Sequence, residues 1–171
     1  MKKQKTVAVS SGFDPLHIGH VRMMKEARAL GDRLVVILNN DNWILDKKGF
    51  VFMKQDERKE ILLSLRFVDE VITTLHKKGD TDRSVSRELQ KIRPAIFANG
   101  GDRDKTDAKN TSSSLHKDIR TCKEIGTDII FGVGRGGKVQ SSSWLLDIVK
   151  TQGKTTKCPR GSIAKRKGKK Y

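Results

Sequence analysis

Short apolar runs alternate along this chain with longer stretches in which apolar residues recur at helical spacing. The runs are residues 6–10 (TVAVS), 33–39 (RLVVILN), 68–73 (VDEVIT), 95–98 (AIFA) and 128–133 (DIIFGV). They are β-branched or apolar along their whole length, as expected of strands covered on both faces of a parallel sheet. Helical patterns fill the gaps at residues 19–30, 55–65, 82–92 and 115–125, and a last helix is expected from Ser142 to Val149 or Lys150. Five strand–helix alternations predict an α/β fold, a Rossmann-like open parallel sheet of about five strands with helices on both faces. Ligands of such sheets bind beyond the carboxyl ends of the strands, where the strand order reverses. The loop after the first strand is therefore the first place to look for chemistry.

Charge changes the picture at one end. The 171 residues carry 36 Lys and Arg against 20 Asp and Glu, a formal net charge of +16. Residues 154–171 hold eight of those basic residues and no acid, so half of the excess lies on a segment without apolar periodicity. The expected organisation is one domain over residues 1–153 and a basic, disordered tail over 154–171. That tail could make weak, salt-dependent contact with nucleic acid. With Tyr171 as its one aromatic it offers no stacking platform, so a nucleic-acid-binding module stands as the rival class. No run reaches the ~18 apolar residues of a membrane span, and the basic start (MKKQK) is followed by too short an apolar stretch for a signal peptide. Cys122 and Cys158 form neither a CxxC pair nor a metal spacing. A cytoplasmic protein without membrane contact is the expectation.

The first strand runs into Ser10-Ser11-Gly12-Phe13-Asp14-Pro15-Leu16-His17-Ile18-Gly19-His20. His17 and His20, three apart at a helix start, project from one face. Gly19 between them removes a side chain where something must approach the backbone. The helix terminus adds unsatisfied N–H groups and partial positive charge. Two imidazoles at such a place can bind a phosphate and follow its charge as it changes.

This string resembles the G-x-F-D-x-x-H-x-G-H of the HxGH nucleotidylyltransferases, the family of glycerol-3-phosphate cytidylyltransferase and heptose-1-phosphate adenylyltransferase. Further matches follow in the family's order over residues 6–150: Asn39-Asn40-Asp41, the basic loop pair Lys47-Lys48, the helix Gln55-Asp56-Glu57-Arg58, the strand from Val68, the turn Gly100-Gly101-Asp102 and Ser141-Ser142-Ser143. The resemblance implies transfer of CMP or AMP from CTP or ATP to a phosphorylated small molecule (a sugar, heptose or polyol phosphate) with release of pyrophosphate. FMN and phosphopantetheine are the alternative acceptors. By the same resemblance His17 and His20 contact the phosphates undergoing transfer, and Lys47 or Lys48 closes over them. Ser11, Gly12, Phe13 and Gly19 belong to the nucleotide site, and Gly101 and Asp102 hold base or ribose. Ser141, Ser142 and Ser143 donate to triphosphate oxygens, Mg2+ accompanies the nucleotide with Asp14 as a contributing ligand, and a homodimer is expected. The arginine that cytidylyltransferases place before their serines has no firm counterpart here. Arg135 is the nearest, with Lys138 as a substitute point charge. Arg58 is either a site residue or a structural one pairing inward. The loops over residues 75–83 and 101–114 are the expected acceptor-side elements.

Two glycine patterns mislead. Gly132-x-Gly134-x-x-Gly137 spells a dinucleotide fingerprint, and Gly132 to Lys138 spells a P-loop up to its last letter. That letter is Val139, without the hydroxyl a P-loop needs, and no acid stands about 20 residues on. His17-Ile18-Gly19-His20 also spells the signature of class I aminoacyl-tRNA synthetases, but their K-M-S-K-S is absent.

Overall fold

A computed structural model describes residues 4–100 and 113–134 together with Ser142, Trp144 and Leu145. Its strands are β1 (Thr6–Ser11), β2 (Arg33–Leu38), β3 (Glu70–Thr73), β4 (Ile96–Gly100) and β5 (Asp128–Val133). They form one sheet in the order β3-β2-β1-β4-β5, parallel throughout. The chain moves outward from β1 to β3, then returns to the far side of β1 and moves out to β5. The order therefore reverses between β1 and β4, and β1 is paired on both sides.

The helices are α1 (Ile18–Arg28), α2 (Asp41–Lys48), α3 (Gln55–Leu63), α4 (Ser86–Ile92) and α5 (Ser114–Ile125). Continuous apolar strands need cover on both faces, and two core clusters supply it. Val7, Val9, Leu34, Val36 and Leu38 pack with Met23, Met24 and Ala27 of α1 and Leu62 of α3. The intervening residues Ala8, Ile37 and Phe97 point the other way, against Val85, Leu89 of α4 and Cys122 of α5. Cys122 is thus core packing, and burial, with Asp118 nearby, pushes its thiol up to about 12. Among the described residues no helix is long and apolar enough to cross a membrane.

The elements depart from the sequence pattern in three places. Residues 41–48, which the pattern leaves as a loop, form α2. Its Asn40 cap accepts the Trp43 N–H at 3.0 Å, and Gly49 ends it in the left-handed conformation at φ 81. Strand β3 starts at Glu70 because the Val68 N–H turns back to Leu65 C=O, and the Asp69 carboxylate accepts the Leu34 N–H. Helix α4 starts at Ser86 because residues 82–85 are engaged otherwise. Ser84 N–H donates to Asp82 at 3.1 Å, Val85 N–H donates to Asp118 of α5 at 2.8 Å, and Lys117 pairs with Asp82.

Gly100 closes β4 beside an irregularity in its pairing with β5. A Cβ there would lie 2.4 Å from Val133 C=O and 2.8 Å from Met23 Cγ. Backbone oxygen cannot retreat as a flexible side chain can, so Gly100→Ala is expected to cost about 1–3 kcal/mol as an overpacking change. Urea denaturation checks it: an unchanged midpoint would mean that β4 and β5 separate more easily than their ladder suggests.

Candidate active site

The loop from β1 to α1 is held from several directions. Asp14 is fully buried; its Oδ1 accepts the Met53 N–H at 2.7 Å and its Oδ2 the Phe52 N–H at 3.1 Å. The Asp14 carbonyl accepts Lys48 Nζ at 2.5 Å, and the Pro15 carbonyl accepts the Ser142 hydroxyl at 3.1 Å. The Asp14–Pro15 bond is cis, and Phe13 lies in the left-handed region at φ 52. Gly12 has a packing reason as well: a Cβ would meet Ile44 Cδ1 at 2.4 Å, so α2 rests directly on the loop.

Arg58 ties this loop to the next. It is 1% exposed. Nη1 donates to Gly12 C=O at 2.5 Å and Asn39 C=O at 2.8 Å, Nε donates to Met53 C=O at 2.9 Å, and Nη2 pairs with Asp41 at 2.7 Å. One planar fork thus holds the ends of β1 and β2 and the start of α3. Of the two readings of Arg58, the structural one describes what it contacts. Arg58→Ala would leave three carbonyls and a carboxylate without their donor, at about 3–5 kcal/mol. Arg58→Lys, a point charge without the fork, is expected to recover only part of that in the same unfolding measurement.

With the loop fixed, His17 stands at the N-cap of α1 in an extended conformation and His20 lies on its first turn. The two rings stack at 3.8 Å between centroids, 22° from parallel, and the Phe13 ring meets His20 edge-on at 4.9 Å. Nδ1 of each imidazole is buried without a hydrogen-bond partner. Burial, then the neighbouring His17 and Lys48, holds His20 down to about 3. His17 is lowered by burial and by Lys48. Burial also lowers Lys48, with Arg58 acting in the same direction and Asp14 against it. At neutral pH the pair is therefore uncharged, desolvated and short of partners beside the positive end of a helix. An anion arriving there offsets the burial penalty and draws both imidazoles toward their donor forms.

The structure separates the candidate residues. Ser11, Gly12, Phe13, Asp14, His17, Gly19, His20, Lys48 and Ser142 share one neighbourhood around the loop. Lys47 does not join them: it lies 4.6 Å over the Trp43 ring, and it lines a cavity distinct from the histidine cluster. Both lysines are on the last turn of a helix, a correction to the loop expected for them. Asp14 has both oxygens engaged by backbone amides, and among the described residues no group of three or more His, Cys, Asp or Glu is placed to hold a metal ion. Gly101, Asp102, Arg135, Lys138, Ser141 and Ser143 lie outside the described residues. Sequence reasoning missed Trp43, Phe52 and Met53. The last two act through backbone groups, both N–H groups and the Met53 C=O, which leave no mark in a sequence.

His20 makes folding pH-dependent with a definite sign. Its pKa is about 3 folded against 6.5 for the ordinary group, so between those values the unfolded chain binds a proton that the folded one refuses. Stability should fall as pH falls through that window, by at most about 1.4 kcal/mol per pH unit from this group. Well above pH 6.5 it contributes no slope. Thermal unfolding from pH 7.5 to 5 should show a shallower decline in His20→Gln than in wild type. Identical slopes would assign the decline to other groups.

A family model described as cytidylyltransferase-like matches residues 11–143. An FAD synthase from Thermococcus sibiricus is 36% identical over 133 residues, covering 76% of this chain and 82% of that protein. The ethanolamine-phosphate cytidylyltransferase of Dictyostelium discoideum is 43% identical over 70 residues, 40% of this chain and 19% of its own length. The bifunctional protein HldE of Methylococcus capsulatus is 38% identical over 101 residues, 58% of this chain and 20% of its own. The chain thus spans only about a fifth of the two longer relatives. In fold it is similar to the lipopolysaccharide core biosynthesis protein of Thermoplasma volcanium GSS1, with a TM-score of 0.59 and 24% identity over 77% of this chain and 98% of that one.

Proposed function

Because the chain belongs to the cytidylyltransferase-like family, we propose that it is a nucleotidylyltransferase moving CMP or AMP from CTP or ATP to a phosphorylated small molecule. An oxygen of the acceptor's phosphate attacks the α-phosphorus in line. The new phosphorus–oxygen bond forms as the bond to the β-phosphate oxygen breaks, and pyrophosphate leaves with the displaced electron pair. No covalent enzyme intermediate is required, so the protein's work is positioning and stabilising spread negative charge.

The observation that carries this reading is the stacked His17–His20 pair with two buried, unpartnered Nδ1 atoms at the start of α1. Unsatisfied polar atoms in a buried place are costly, and phosphate oxygens arriving from the nucleotide are the partners such imidazoles lack. Lys48, released from Asp14 C=O, would bring a full positive charge to the same spot. Ser142 holds the Pro15 end of the loop, and its hydroxyl would turn to a phosphate bound there. A divalent cation, which we take to be Mg2+, accompanies the triphosphate and offsets its charge. Among the described residues no group of three or more His, Cys, Asp or Glu is placed to hold it.

A second reading rests on one observation. The FAD synthase similarity spans 82% of that relative, which favours FMN as acceptor and ATP as donor.

Pyrophosphate release by the purified protein, crossing CTP and ATP with sugar phosphates, polyol phosphates and FMN, tests both. Release with one pair is expected, and His17→Ala or His20→Ala should lower kcat/KM by about 10²-fold or more while leaving the folded structure intact. Wild-type turnover in either variant would remove the histidines from the chemistry, and release with FMN alone would select the second reading.

A further inference from the structure

Residues 74–84, between β3 and α4, pass beside the start of α2 and go on to line the cavity next to Lys47. One buried imidazole, His76, organises that meeting. Its Nε2 lies 3.0 Å from Ser84 C=O. A carbonyl only accepts, so the uncharged ring carries its hydrogen on Nε2. Nδ1 is then a bare acceptor, and the buried Thr74 hydroxyl, 2.9 Å away, donates to it. The same Thr74 oxygen accepts the Asn40 N–H at 3.1 Å, so the hydroxyl is oriented on both sides. The other tautomer would set a bare ring nitrogen against the Ser84 carbonyl, two buried acceptors without a hydrogen between them.

Tethered at both ring nitrogens, the residue keeps its backbone in place, and its carbonyl is a hub. His76 C=O accepts Asn40 Nδ2 at 2.8 Å and Asn42 Nδ2 at 3.0 Å. Asn40 is the cap of α2, with its Oδ1 accepting the Trp43 N–H, so one carboxamide joins the first turn of the helix to His76. On the other side Gln55 Oε1 accepts the Asp41 N–H at 3.1 Å, and Arg58 pairs with the Asp41 carboxylate. The start of α2 is thus gripped from α3 and from the segment after β3. Its last turn carries Lys48 to the Asp14 carbonyl. At about 1.5 Å per residue the helix spans about 12 Å, so a tilt of about 5° at its start moves Lys48 by about 1 Å. A misplacement of that size can lower a rate by about 10²-fold.

Resting on the nucleotidylyltransferase reading for the role of Lys48, we propose that His76 is a positioning residue of the reaction. Braced between Thr74 and Ser84, it holds the carbonyl that fixes the start of α2, and through that helix it sets where Lys48 meets the phosphates.

Nitrogen NMR of the histidine rings at neutral pH tests the brace, with His76→Gln identifying the signal. Hydrogen on Nε2 and a bare Nδ1 are expected; hydrogen on Nδ1 alone, or a ring averaging the two forms, overturns it. Kinetics test the positioning, using whichever nucleotide and acceptor release pyrophosphate in wild type, at a temperature where each variant is folded. His76→Leu and Thr74→Val should each lower kcat about ten-fold or more with the nucleotide KM within about three-fold, and Thr74→Ser, which keeps the hydroxyl, should stay within about two-fold of wild type. The double variant should be no slower than the slower single one, because both act through one link. A lowered melting temperature with wild-type kcat, or losses that multiply in the double variant, overturns the proposal. If wild type turns over no acceptor, the transferase reading fails by itself and amide exchange judges the brace. Faster exchange of the Trp43 and Ile44 N–H groups in Thr74→Val, with β1 unchanged, upholds it, and unchanged exchange in α2 ends it.

Discussion

The buried guanidinium of Arg58 is the constraint on which the active-site geometry depends. A parallel sheet delivers its strand ends to one edge but does not fix the loops beyond them, because the ladder stops there. Arg58 continues the constraint past that edge through Gly12 C=O, Asn39 C=O and Met53 C=O. Its one carboxylate partner, Asp41, is partly exposed, so this is not an ion pair that stabilises by Coulomb attraction in a dry core. Desolvating the charge costs several kcal/mol, and the hydrogen bonds roughly offset it. What remains is specificity: no other side chain offers donors in a rigid plane that reaches three loops at once.

The same charge reaches the chemistry by a second route. Arg58 stands close enough to Lys48 to help lower its pKa, and Lys48 in turn helps lower those of His17 and His20. A row of groups that can each carry positive charge is thus held close together, with Asp14 and Asp41 as the carboxylates beside it. Burial dominates every one of these shifts, and like charge adds to it. Such a site is not at rest electrostatically. A bound triphosphate would oppose each of these shifts at a point where the fixed loop already holds the donors.

Much of this was legible in the sequence, and what was not has physical causes. The central strands β1, β2 and β4 could be read because burial on both faces writes an uninterrupted apolar run, and the half-buried edge strands β3 and β5 because β-branched residues still mark them. The histidine pair could be read because its spacing, its glycine and its place after the first strand agree. Helix α2 could not: its apolar residues, Trp43, Ile44 and Leu45, are consecutive rather than spaced, and its order comes from the Asn40 cap, Gly49 and the Trp43–Arg83 bond. Asp14 has the sequence profile of a metal ligand, but its oxygens meet backbone amides 38 and 39 residues away. A side chain that bonds to backbone leaves no partner residue to be noticed. Arg58 is the intermediate case, visible as a charge on a helix and decided only by where that helix packs.

Helix α2 also shows how two neighbouring lysines come to serve different surroundings. Successive residues on a helix are turned by about 100°. Two adjacent lysines therefore address two different spaces without any loop between them. The helix is short, and the contact of Ile44 with Gly12 sets its height above the loop while Arg83 and Gly79 pin its outer side. A change in residues 79–83 reshapes the cavity wall, whereas the Asp14 loop is held from other directions by Arg58, Phe52 and Met53. The wall of that cavity can thus vary while the distance from Lys48 to the histidines stays fixed.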